Sequence, residues 1–158
     1  MSQASSGNGI RDVLNPKFVY HTTVHPDELD SRQRLLSSRL VAHVERAIAD
    51  YAVDTGSLRK AATGDSPDHF HDVRELRIDF LAPVDGPCVM RVDVWVERLT
   101  PTTCAYGFLC SSPDGNIAYA RGERTIVKID PLSHRPAPWS AAFREKHAFL
   151  LKDLPSLA

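Results

Sequence analysis

RELRIDFLAPVDGPCVMRVDVWVERLTPTTCAYGFLCSSPDGNIAYARGERTIVKIDPLSHRPAPWS, running from Arg74 to Ser140, decides the architecture. Leu76, Ile78 and Phe80 alternate with Arg77 and Asp79. Cys88, Met90, Val92, Val94 and Val96 alternate with Arg91, Asp93 and Glu97. A period of two points these apolar residues to one side of a pleated strand, so each run predicts a strand with one buried face. After the TPTT turn, Cys104, Tyr106, Phe108 and Cys110 share a face, and SPDGN closes a hairpin into a long strand from Ile117 to Ile129. Ala118, Ala120 and Gly122 in that strand are small enough for another backbone or a ligand to come close.

Working outward, the region upstream changes period. Leu36, Leu40, Val44, Ala47 and Tyr51 fall at i, i+4, i+8, i+11 and i+15, one stripe roughly 80° wide at about 100° per residue, which predicts a helix from about Leu35 to Tyr51. Before it, residues 17–24 alternate as a first strand, and HPDELDSRQR reads as a polar loop. DTGSLRKAATGDSPDHFH, residues 54–71, lacks a period and reads as a loop or short lid, the kind of long connection that often covers a binding site. Past Pro131 a short amphipathic helix is expected around Ala141 to Leu151. The prediction is an α+β fold in one domain: a long central helix wrapped by a curled antiparallel β-sheet over residues 17–150, with residues 1–16, rich in Ser, Gly and Asn, as a flexible arm.

The 158 residues suffice for one domain with its own core, and 42% hydrophobic with 25% charged residues is ordinary for a globular chain. A formal charge of -1, spread along the sequence, gives no basic stripe for nucleic acid. MSQASSGNGI lacks the basic start and apolar run of a secretory signal, and no stretch is long and apolar enough to span a bilayer, so a soluble cytoplasmic protein is expected. Cys88, Cys104 and Cys110 are odd in number and lie in predicted strands without CxxC spacing, which favours neither a disulfide nor zinc. HFH at 69–71 matches no known ligand set, so no metal is expected. His43 lies toward the apolar stripe and reads as a hydrogen-bonded core residue.

From about Val19 to Arg144 the chain resembles the hotdog thioesterases of the 4-hydroxybenzoyl-CoA type. That family's pattern is a strand leading into D-x-x-G-H-V-N-N-x-x-Y, a helical Glu, a Y-x-x-P turn and a VxVD...RPxP ending. Without a gap, Asp30 falls on the motif Asp, Gln33 on its Gly, Arg34 on its His, Ser37 on its second Asn, Leu40 on its Tyr and Glu45 on the helical Glu. Phe80 and Pro83 match the later turn, and Val127 to Asp130 with Arg135 to Pro138 match the ending. The Gly-His-Val-Asn stretch is replaced. The resemblance implies a single hotdog domain that hydrolyses an acyl thioester, on acyl-CoA or on an acyl-carrier protein, with coenzyme A as part of the substrate and no cofactor. It implies a homodimer or homotetramer with sites at the shared interface. It also implies Asp30, Glu45 and Arg34 as the catalytic candidates and Gln33, Leu35, Arg121 and Arg124 as the substrate-binding ones. The alternatives are a non-catalytic acyl-CoA or lipid-binding hotdog module, or a hotdog hydratase or dehydratase.

Thioester hydrolysis needs a carboxylate to attack the carbonyl or activate water, and donors to hold the oxyanion. A helix N-terminus offers unpaired amides carrying an effective charge of roughly +0.5, and the loop before it can present the acid. Other readings stay open on the residues alone. Asp30-Ser31-Arg32-Gln33 fits a capping box, in which Asp30 merely satisfies helix amides. Glu45 fits a surface ion pair, and Arg34 fits either an oxyanion donor or a contact to coenzyme A phosphates.

Overall fold

The computed structural model describes residues 18–54 and 67–151. The elements in chain order are β1 (Phe18–Val24), a 3-10 turn (Pro26–Glu28), α1 (Ser37–Asp54), a second 3-10 turn (Pro67–His69), β2 (His71–Phe80), β3 (Cys88–Leu99), β4 (Thr103–Ser111), β5 (Ala118–Lys128) and α2 (Ala141–Phe149). The expected arm, and residues 55–66 of the expected lid, lie outside the described residues.

The strands form one five-stranded sheet in the order β1-β3-β4-β5-β2, every pairing antiparallel. β3, β4 and β5 pair in sequence through short turns. β1 and β2, consecutive along the chain, sit at opposite edges. Between them in the chain lies α1, whose 18 residues span about 27 Å.

The period-two reading holds on the inner face of β3 and β4. Met90, Val92 and Val94 of β3, and Cys104, Phe108 and Cys110 of β4, are completely buried. Against them α1 sets Leu40, Val44, Ala47, Ile48 and Tyr51, each of which gains about 1.5–3 kcal/mol from leaving water if large and aliphatic. α1 packs on β1, β3 and β4. It is not alone: α2 packs on β3, and Trp139, Phe143 and His147 form a stack that meets β4, with Tyr106 Oη and His147 Nε2 2.8 Å apart. Ser140 caps α2 by accepting from the Phe143 amide at 3.1 Å, and the buried Asp68 accepts from the Ser140 hydroxyl at 2.6 Å.

The helix start differs from expectation. Leu36 is 39% exposed and precedes α1, because its amide donates to Glu28 O while its carbonyl accepts from Arg39 and Leu40. It therefore belongs to the approach, and the apolar stripe begins at Leu40. β2 is the other departure: it starts at His71 and has no buried residue, with Phe80 57% exposed, since among the described residues β5 is its one strand neighbour and α1 packs mainly on β1, β3 and β4. Cys104 and Cys110 are free thiols in the core, each pushed up to about 12 by burial. Among the described residues no helix is long and apolar enough to cross a membrane.

Candidate active site

Residues 28–36 do not form a capped helix start. They form a small hairpin whose sides meet in the Leu29–Leu35 bridge. Asp30 donates its amide to Arg34 O at 2.8 Å, and Gln33 donates to Asp30 O at 3.0 Å. Gln33 adopts φ 62°, the left-handed conformation that glycine takes freely and other residues take at roughly 1–2 kcal/mol. This is the position at which the thioesterase motif has its Gly. The backbone keeps the turn even though the side chain has changed.

The hairpin is docked on the segment between β2 and β3. Leu35 donates to Val84 O at 3.0 Å, Gly86 donates to Gln33 O at 2.8 Å, and Arg34 Nε stands 3.4 Å from Asp85 Oδ1, both side chains well exposed. Asp30 Oδ1 accepts the amides of Arg32 at 2.8 Å and Arg34 at 3.1 Å. Donation from the Arg34 amide, then the Arg32 amide, holds the Asp30 carboxyl below the usual value. The capping-box reading of Asp30 and Gln33 is therefore corrected: α1 begins at Ser37, and the Asp30 carboxylate closes the turn of the hairpin instead.

A cleft of about 370 Å³ opens where the hairpin, the start of α1 and residues 80–84 meet. Asp30, Arg32, Arg34 and Ser37 supply its polar side, and Leu35, Leu40 and Phe80 through Val84 its apolar wall. Because Ser37 opens α1, the N-terminal end of the helix borders the cleft; the Arg39 and Leu40 amides there donate to Leu36 O, and those of Ser37 and Ser38 precede them. A carboxylate, two guanidinium groups, a helix N-terminus and an apolar wall can together take a molecule with an anionic part, a polar reacting centre and a greasy tail.

Of the residues singled out from sequence, Asp30, Arg34 and Leu35 meet in this cleft. Gln33 contributes its backbone turn. Glu45 is elsewhere: Arg124 Nε donates to its Oε1 at 2.8 Å, so the helix acid and a candidate substrate cation hold each other. Arg121 and Arg124 lie on opposite faces of β5. Arg124 is registered with Tyr106 and Leu76 on the inner side, whereas Arg121 is registered with Leu109 and Asp79 and stands 4.0 Å from the Asp79 carboxylate in solvent. They form no common cation pair. Arg32 and residues 81–84 were not singled out as site residues. Only Phe80 and Pro83, through the Y-x-x-P turn, pointed to that wall.

No protein-family model matches the chain, and no curated protein matches it. Solved structures do. The PA5185 protein of Pseudomonas aeruginosa matches with a TM-score of 0.75 at 19% identity, over 92% of this chain and 97% of its own. Slr0204, a 1,4-dihydroxy-2-naphthoyl-CoA thioesterase from Synechocystis, matches at 0.72 and 15% identity over 87% and 98%. A thioesterase from Thermus thermophilus, solved with coenzyme A and zinc, matches at 0.70 and 19% identity over 88% and 96%. Such likenesses show the fold: an α+β hotdog with a five-stranded antiparallel sheet and two helices.

Proposed function

We propose that this hotdog protein hydrolyses acyl thioesters, of coenzyme A or of an acyl-carrier protein. The observation that carries the reading is the Asp30 carboxylate, fixed through Oδ1 by the Arg32 and Arg34 amides, in a cleft that also has an apolar wall and the start of a helix. The Synechocystis and Thermus structures, thioesterases on the same fold, support it.

Asp30 Oδ1 is engaged by two backbone amides, which leaves Oδ2 for chemistry. In the proposed reaction Oδ2 takes a proton from a water as its oxygen bonds to the thioester carbonyl carbon. The oxyanion that forms lies against the first amides of α1, where such donors stabilise developing charge. Collapse breaks the carbon–sulfur bond, the thiolate leaves with the proton from Asp30, and the products are a carboxylic acid and a free thiol. Attack by Oδ2 itself, through a mixed anhydride, uses the same atom. Arg34 can leave its exposed partner Asp85 to reach the oxyanion or, with Arg32, the coenzyme A phosphates. The acyl group lies along Leu35, Leu40 and Phe80. Coenzyme A belongs to the substrate, no resident cofactor is required, and a cytoplasmic location is consistent with this chemistry.

We place the active unit as a homodimer, or a tetramer of two such dimers, joined through the open edge of β2. A ten-residue edge strand with exposed Val73, Leu76 and Phe80 invites pairing with a second copy, and Phe80 belongs to the cleft wall. Sedimentation at micromolar concentration tests this; a stable monomer refutes it. One observation favours a second reading, an acyl-CoA-binding module without turnover: Arg34, which cannot act as a base, stands where the family motif has His. Thiol release from a panel of aliphatic and aromatic acyl-CoAs separates the two. Steady release supports the hydrolase, and saturable binding without release supports the module.

A further inference from the structure

His43 occupies the flank of α1 next to Leu40 and Val44 and is wholly buried, 0% exposed. A ring there must find both polar partners within the protein. Nδ1 lies 2.6 Å from Thr22 Oγ1 on β1. Nε2 stands 2.8 Å from Glu28 Oε1, off the direction of a hydrogen bond. Glu28 is itself buried, and its second oxygen, Oε2, accepts the His25 amide at 2.8 Å. Burial alone would raise the Glu28 carboxyl, but the His25 amide and the His43 ring outweigh it and hold it below the ordinary value. The ring therefore bridges two elements, Nδ1 in a hydrogen bond with the Thr22 hydroxyl of β1 and Nε2 against the Glu28 carboxylate.

Three buried polar side chains are a poor way to gain stability, since well-packed apolar residues of the same size often do as well or better. What they add is direction, because a polar network tolerates one arrangement where an apolar slot tolerates several. The arrangement here has a clear target. Glu28 is the base of the hairpin: its carbonyl accepts the Leu36 amide at 3.0 Å, one step beyond the Leu29–Leu35 bridge, and the turn of that hairpin is Asp30 to Gln33.

We propose that His43 is a positioning residue for Asp30. From α1 it anchors Glu28 against β1, Glu28 fixes the base of the hairpin, and the hairpin holds the Asp30 carboxylate over the cleft. The catalytic consequence rests on the thioesterase reading; the anchoring of the hairpin does not.

Two variants of the full chain, His43→Leu and Glu28→Gln, test it by amide hydrogen exchange and steady-state thiol release. Exchange should quicken tenfold or more at the amides of Asp30, Gln33 and Leu36, with those of β3 and β4 unchanged. kcat should fall tenfold or more with KM within about twofold, and Thr22→Ser, which keeps the hydroxyl, should behave as wild type. Selective loosening of the hairpin in a protein that never releases thiol would keep the anchor and sink the hydrolase. Unaltered exchange in both variants, or a rise spread evenly over the sheet, overturns the proposal. If His43→Leu fails to fold, Glu28→Gln decides.

Discussion

Arg124 Nε donates to Glu45 Oε1 at 2.8 Å and so ties the outer flank of α1 to β5, the strand beside the β2 edge. The guanidinium side chain is only 14% exposed and the carboxylate 38%. The pair lies between the surface regime, where ion pairs contribute little, and the buried one, where losing a partner is severe.

Glu45→Gln should therefore lower stability by about 1 kcal/mol, by leaving a half-buried cation with a neutral partner. Thiol release should change by less than threefold. Urea denaturation and steady-state kinetics on the same preparation check both. Loss of turnover at unchanged stability would return Glu45 to the chemistry.

His147 links the core to pH. Burial, against a weaker opposing pull from the Phe143 carbonyl, pushes its ring down from the ordinary 6.5 to about 4. Above pH 6.5 the ring is neutral folded and unfolded. Between 6.5 and 4 the unfolded chain binds a proton that the folded chain excludes, so stability falls with pH, by about 3 kcal/mol in all. His147→Gln keeps an acceptor for the Tyr106 hydroxyl but does not titrate. The wild type should lose more stability than the variant between pH 7 and pH 4.5; equal losses would mean that the ring is protonated in the fold.

Gly122 and Gly107 give a graded pair. A Cβ on Gly122 would strike the carbonyl oxygen of Arg77, backbone of the adjacent β2, and come within 2.8 Å of Phe108 Cζ. A Cβ on Gly107 would strike the Trp95 indole, a side chain rather than backbone. Both alanine variants should be destabilised by about 1–3 kcal/mol, with Gly122→Ala the worse and accompanied by loss of β2 protection in hydrogen exchange. The reverse order would contradict the close approach of the two strands.

The strands were legible because their inner residues, Met90, Val92, Val94 and Val96 with Cys104, Tyr106, Phe108 and Cys110, repeat with the pleat and belong to one buried core. Gly122 was legible as a close approach, though not that Arg77 is what approaches. The order of the strands was not, since β1 pairs with β3 rather than with β2, its successor in the chain, and such a long-range pairing leaves no period. The helix start was misread by two residues because Leu36 fits the stripe; its backbone, bonded to Glu28, decides otherwise. Asp-x-x-Gln suits either a capping box or a tight turn, and the left-handed Gln33 selects the turn. Asp30, Arg34 and Leu35 were found through the motif's register. The contacts of Glu45 with Arg124 and of Glu28 with His43 join separate elements, and periodicity within either element carries no trace of them.

The most direct test compares thiol release by the wild type and Asp30→Asn. Asparagine keeps the oxygen that accepts the Arg32 and Arg34 amides, so the hairpin and cleft should persist while the ionised oxygen is lost. Because the Arg34 and Arg32 amides hold the Asp30 carboxyl below its usual value, the wild type should keep that group charged further into acid than an ordinary aspartate would. The account predicts kcat for Asp30→Asn lower by about a hundredfold or more, the scale of acid–base groups, with wild-type thermal stability. An Asn variant that releases thiol at the wild-type rate would contradict it.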